Sequence, residues 1–177
     1  MAHELTHVVQ QSSQPELVNR KILQRQMRRA TAADAAPACT DVDYVAPPAA
    51  EHERVDAAIA VIDRVVNNPT DYPRCPTHFR DHCTPGTATS LQDQYNRAIV
   101  WKLENYPDEW LGGSCGTSPN IAYTDHSYRW SHWAIAASLV HEMMHICGVG
   151  GHPASTLPGY TDILDEAKHW CGRLPDL

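Results

Sequence analysis

Residues 131–148 read SHWAIAASLVHEMMHICG, and the way this stretch is taken decides the fold. Its only formal charge is Glu142, and it contains neither Lys nor Arg. A helix that is apolar nearly all round has no face to give to water, so the pattern predicts a buried central helix. Within it lies His141-Glu142-x-x-His145. Four residues apart, the two imidazoles leave one face about a turn from each other. Two neutral ring nitrogens can then reach one Zn2+ at about 2.0–2.1 Å. Glu142 sits beside a ligand, where its carboxylate can meet a water on the metal without binding the metal, which is the place of a general base. Ser138 and Ala134 continue the same face and are expected to leave room near the ion. With 11 histidines in 177 residues, chance supplies about 0.03 such patterns per chain. The competing reading is a buried helix whose histidines are satisfied core residues.

A catalytic zinc site needs a third protein ligand and one open position. Candidates lie downstream. His152 follows GVGG, whose glycines permit a sharp return to the metal; Asp162 follows GYT; Asp165 and Glu166 come from the segment GYTDILDEAKHWCG, which reads as a last helix with Thr161 as N-cap and Gly172 as stop. The choice among these four stays open. Those that do not bind can orient His141 or His145 from behind. Tyr160 and His169 are candidate oxyanion stabilisers. Cys147 and Cys171 end the two flanking helices, and a bridge between them is expected to pin the third ligand's segment.

A second copy of the pattern stands at the start of the chain, AHELTHVVQQ at residues 2–11, with His3, Glu4 and His7. Nothing before it supplies a scaffold and the polar stretch after it holds no histidine, so at most a weak surface pair is expected there. Residues 12–38 are polar, then basic, then Ala- and Pro-rich, and read as a linker with a helical turn near Leu17–Met27. The expected organisation is a leader helix over 1–14, a flexible basic linker over 15–38 and one compact domain over 39–177.

Charge follows that division. Residues 1–38 carry five Lys or Arg and three acids, and the remainder carries nine and eighteen, within an overall net charge of −7. An acidic chain of this kind does not suggest nucleic acid or an anionic membrane as partner. No run of 18 apolar residues is present, so no membrane span is expected, and the start lacks a signal-peptide stretch. Six cysteines without a Cys-x-x-Cys pair argue for up to three disulfides and an oxidising destination rather than a zinc knuckle.

Within 39–177, AEHERVDAAIAVIDRVVNNP places Val55, Ala58, Ile59, Ile62, Val65 and Val66 on one helical stripe, with Pro69 beyond its end. Residues 69–88 read as a stapled loop. SLQDQYNRAIVWKLENYP opens on a Ser-x-x-Asp capping pattern and reads as a helix through Leu103. LGGSCGTSP reads as a turn-rich loop and NIAYTD as a short strand. The fold class is α+β, mostly helical, with the motif helix packed on a small sheet.

Two resemblances extend this reading. AHELTHVVQQ resembles the closing helix of the DUF4157 domain, a zincin-like domain at the head of effectors carried by extracellular contractile injection systems. The resemblance implies that the chain begins inside such a leader, that the injection particle is a carrier, and that delivery to a target cell or secretion is by a non-classical route. HEMMHICGVGGH is similar to the metzincin His-Glu-x-x-His-x-x-Gly-x-x-His, with one extra residue before His152 and no later methionine for a Met-turn; GYTD resembles the Gly-Thr-x-Asp of aspzincins. The zincin clan implies a zinc endopeptidase acting on a protein or peptide, with His141, Glu142 and His145 carried over and NIAYTD as the edge strand lining the cleft. A monomer is expected. The alternatives are a non-catalytic, zinc-stabilised binding module and a zinc hydrolase of a non-peptide amide.

Overall fold

A computed structural model describes residues 26–39, 42–83, 90–108 and 110–148. The charge-poor stretch is the helix that its composition predicts. This helix, α5, runs His132–Ile146, and from Ala134 to Ile146 every residue but His145 is buried. Ser131 caps its start by accepting the Ala134 amide at 3.1 Å. Its end is set by Gly148, whose φ of 90° favours a residue without Cβ, and whose amide donates to the His145 carbonyl at 2.9 Å.

α5 lies against a small mixed sheet and against α1 (His52–Asn67). The α1 stripe is as the spacing predicts: Val55, Ala58, Ile62, Val65 and Val66 are buried, joined by Val61, while Ile59 is partly buried. The sheet is built around β3 (Ile99–Glu104). On one side β3 pairs in parallel with β5 (Asn120–Tyr123), which pairs antiparallel with β4 (Gly112–Ser114) at the edge. On its other side, β1 (Arg28–Arg29) runs parallel to the first half of β3 and β2 (Asp43–Val45) antiparallel to the second. Val100, Ile121 and Tyr123 face the helices; Trp101, Leu103 and Ala122 form the opposite face, covered by Ala30 and Tyr44. About half of the described residues are helical.

Several expectations change. NIAYTD does hold a strand, but β5 is internal; among the described residues the strand at that edge of the sheet is β4, formed by the glycines read as a loop. The segment read as a helix through Leu103 is two elements. α3 covers only Leu91–Arg97, capped by Ser90, whose hydroxyl accepts from the Asp93 amide at 3.0 Å, and Ala98 turns the chain into β3. Ile-Val-Trp is β-branched and aromatic and suits a pleated surface. The stapled loop over 69–88 contains α2 (Arg74–His82), which Pro76 tolerates because it lies in the first turn, where an amide has no helical partner. Arg28 and Arg29, in the stretch read as a linker, form β1 between buried Met27 and Ala30, and are tied by ion pairs to Asp34 and Asp56.

Disulfides join Cys39 to Cys115 and Cys83 to Cys147, with Cα separations of 5.9 and 5.2 Å, and Cys75 is disulfide-bonded too. Cys147 therefore does not pair with Cys171. The end of α2 reaches the end of α5 and takes that partner instead. Such crosslinks fit an oxidising compartment. No helix among the described residues is long and apolar enough to cross a membrane.

Candidate metal site

The last turns of α5 bring His141, Glu142 and His145 together. One donor atom from each lies within 4.8 Å of the others, and no other such trio occurs among the described residues. His141 and Glu142 are only 7% and 6% exposed, whereas His145 is half-buried, so the group opens toward solvent on the His145 side. The two Nε2 atoms are 3.2 Å apart, with the rings tilted 71°. Two nitrogens bound at 2.0–2.1 Å to one tetrahedral ion stand about 3.3 Å from each other. The donor set and its spacing therefore fit a divalent metal ion, although a single shared proton would also span that distance.

The wall of the site is β4. The Ser138 hydroxyl donates to the Leu111 carbonyl at 2.8 Å, fastening the strand's entry to α5. A Cβ at Gly112 would overlap Ser138 Oγ and stand 2.8 Å from the Ala122 carbonyl and 3.1 Å from Glu142 Oε1. Only glycine lets the strand lie this close to the carboxylate. Ser138 and Ala134 were expected to leave room on this face; both are buried, and β4 fills the space at Ser138. On the far face of the sheet, Gly113 leaves Leu103 and Tyr44 the space its side chain would fill. Burial first, and the Glu142 charge second, hold the Tyr44 hydroxyl well above the usual tyrosine pKa.

A second cluster of ionisable groups lies one strand further in. Lys102 and Tyr123 are cross-strand neighbours, and Tyr123 is the neighbour of Gly112. The Lys102 ammonium binds Glu51 Oε1 and Asp125 Oδ1, each at 2.7 Å, and the Tyr123 hydroxyl donates to Glu51 Oε2 at 2.6 Å. Burial pulls the Lys102 pKa down, but its bonds to Asp125 and Glu51 outweigh this and leave it raised. Asp125 opens α4 (Asp125–Trp130), which Thr124 caps in a reciprocal box with Ser127.

The structure brings His141, Glu142 and His145 together on one helix, as their spacing predicts, and adds Gly112 and the Leu111–Ser138 bond, which the sequence reading missed. Adjacent glycines before an apolar strand were the available signal. The third-ligand candidates His152, Asp162, Asp165 and Glu166 lie outside the described residues, as do Tyr160, His169 and the first motif with His3, Glu4 and His7. No protein-family model matches the chain, and no curated protein or solved structure matches it.

Proposed function

We propose that the chain is a zinc-dependent endopeptidase of the zincin type, acting as a toxin or effector on a protein or peptide. The observation that carries this reading is the 3.2 Å approach of the two Nε2 atoms beside a buried carboxylate, at the foot of an edge strand. His141 and His145 would hold the ion through Nε2, with His152, Asp162, Asp165 or Glu166 as the third ligand. When bound, the ion supplies Lewis-acid polarisation of the scissile carbonyl and acidification of water. Glu142 takes the proton of the attacking water as its oxygen bonds to the carbonyl carbon, then delivers it to the departing nitrogen as the C–N bond breaks. Among the described residues β4 is paired on one side only, so a substrate chain can add to its free edge through backbone hydrogen bonds. A neutral imidazole pair and a base also make sense of Glu142, because a purely structural site would fill all four positions with ligands. The role as an effector, and the carriage by an injection particle, rest on residues 2–11 and agree with disulfides suited to life outside a reducing cytosol.

The test compares wild type with Glu142→Gln at equal metal content, on casein and a peptide library. Hydrolysis should fall about 10²–10⁴-fold, the usual worth of a general base. Equal turnover in both, or none in either, returns the site to a metal-stabilised binding module. Cleavage of non-peptide amides alone would move the substrate class.

A further inference from the structure

Asp56, Ile59, Ala60 and Asp63 recur at helical spacing on α1 and so share one face. That face and β1 border a groove of about 450 Å3, whose apolar lining comes from Met27, Ile59 and Ala60. Ile59 is the member of the α1 stripe that the core does not fully cover. The charged groups along the groove are paired, with one exception. Arg28 binds both oxygens of Asp34, at 2.9 and 2.6 Å, and Arg29 binds Asp56 at 2.5 Å. Asp63, which also lines the groove, makes no ion pair among the described residues. Its Oδ1 accepts two neutral donors, the Tyr95 hydroxyl at 2.5 Å and Asn67 Nδ2 at 2.9 Å. Its Oδ2 has no hydrogen-bond partner among the described residues. Neutral donors orient the carboxylate without cancelling its charge. Burial first, and the bond to Asp63 second, hold the Tyr95 hydroxyl above its ordinary pKa, so it stays a donor.

We propose that this groove binds a primary alkylammonium ion, with the ammonium on Asp63 Oδ2 and the alkyl chain along Met27, Ile59 and Ala60. A charged oxygen beside an apolar lining is matched by a cation on a hydrocarbon stem, which loses water from the stem and keeps a partner for the head. The choice of cation follows from the oxygens. A guanidinium fork seeks both oxygens of a carboxylate, and Oδ1 already holds two donors. An ammonium is a compact point charge and needs one oxygen. An anion finds little here, because Arg28 and Arg29 are each engaged by an aspartate. The volume lies within the range of small-ligand sites, on the order of 300–1,000 Å3. Such an ammonium has two sources, a lysine side chain of a polypeptide and a free amine, and the same contacts serve both. The groove is also separate from the metal donors: β1 and β4 are opposite ends of the strand path, and the donors lie by β4. The site therefore stands whether or not the protein cuts peptides.

The experiment titrates the isotope-labelled full chain by NMR with butylamine, with uncharged butanol and with a lysine tripeptide capped at both ends. Butylamine should bind with a dissociation constant of about 1–10 mM, reasonable for so few atoms, and shift the amides of Arg29, Ile59 and Ala60. Butanol should bind about tenfold more weakly, and added salt should weaken the amine alone. Asp63→Asn keeps an oxygen for Tyr95 and Asn67, so it should fold, and it should cost the amine about tenfold in affinity. If that variant fails to fold, the butanol and salt comparisons on wild type decide. The titrations are repeated on Lys21→Gln, because Lys21 is the chain's own alkylammonium five residues before Gln26, which lines the groove. Binding seen only in Lys21→Gln supports the site and names that lysine as its occupant. A tripeptide that binds more tightly than butylamine assigns a polypeptide lysine, and one that binds no better assigns a free amine. Butanol as tight as butylamine, affinity unchanged in Asp63→Asn, or no shifts in either wild type or Lys21→Gln overturns the proposal.

Discussion

Two groups of wholly or partly buried ionisable side chains lie near one another and differ in what completes them. In the Glu51–Lys102–Asp125–Tyr123 cluster the positive centre is a residue of the chain, and the two bonds it makes, with the third from Tyr123 to Glu51, are 2.6–2.7 Å long and all internal. In the His141–Glu142–His145 group three side chains that could hold a metal ion are brought within 4.8 Å of one another on a single helix. The first arrangement crosslinks three distant parts of the chain, the start of α1, β3 and the start of α4. The second crosslinks nothing within the trio, because its members are neighbours already. Burying charge that ties elements together serves the fold, and burying donors that converge from one turn serves a ligand.

That contrast predicts opposite outcomes for substitution. The largest effect belongs to His141→Ala combined with His145→Ala, which should remove stoichiometric zinc and all hydrolysis, while the metal-free protein unfolds in urea no earlier than metal-free wild type. Zinc analysis by mass spectrometry and urea titration check the two halves. Lys102→Ala should do the reverse: metal-free stability falls by about 3 kcal/mol, because two carboxylates are left facing each other, with the figure kept low because Asp125 is half open to water. Zinc stoichiometry should not change. If the histidine variant unfolds as readily as the lysine variant, the division between a structural and a ligand cluster is wrong.

The Cys83–Cys147 bridge connects the two roles, since it anchors the residue that ends the motif helix to the end of α2. Replacing both cysteines with serine should cost about 2 kcal/mol, toward the low end for a disulfide, because the other crosslinks already restrict the unfolded chain. It should also weaken zinc binding, as His145 loses its fixed setting, whereas Lys102→Ala leaves affinity alone. Competition with a chelating dye reads this directly; unchanged affinity would make the bridge purely structural. Smaller again is Gly112→Ala, where the added methyl must displace Ser138 or the strand. A loss of about 1–2 kcal/mol is expected from overpacking, together with a drop in kcat at unchanged zinc content, since Glu142 Oε1 lies on the same side.

How much of this could be seen in the sequence depended on periodicity. α1 and α5 were legible because a long 3.6-residue stripe or an uninterrupted apolar run has few other meanings. β3 was not. Val100, Trp101, Lys102 and Leu103 are all buried, so the strand shows no alternation, and Tyr95, Ile99 and Leu103 happen to share helical spacing across the α3–β3 boundary. β4 was hidden for a different reason: its glycines are poor strand formers, and they are required by what lies against each face, α5 at Gly112 and the Leu103 side chain at Gly113, tertiary facts that no local pattern carries. The grouping of His141, Glu142 and His145 was fully local, so their proximity on one helix could be read from the spacing alone. The lysine cluster was spread from residue 51 to residue 125, and its one trace was a lysine inside the apolar run IVWKL.

The weakest expected effect separates the two ends of α5. His132 begins this helix, with its Nε2 buried and without a hydrogen-bond partner, its ring 5.2 Å from Trp133. Burial first, and the Arg54 charge second, lower its pKa below the ordinary 6.5. The unfolded chain therefore takes up a proton near pH 6.5 that the folded chain refuses, and stability rises with pH wherever that difference exists. The His132 contribution is complete above about pH 6.5 and is lost as the pH falls through that value toward the folded pKa. The ring is only partly buried, so water screens the effect to about 0.5 kcal/mol or less. His132→Leu should flatten the decline in metal-free stability between pH 7 and pH 5 by that amount, measured by urea unfolding at each pH. The other histidines remain in both proteins, so the difference between the two curves belongs to position 132. Parallel curves would mean that the ring reaches water in the folded state, and that the N-terminal end of the helix is no drier than the end that carries His141 and His145.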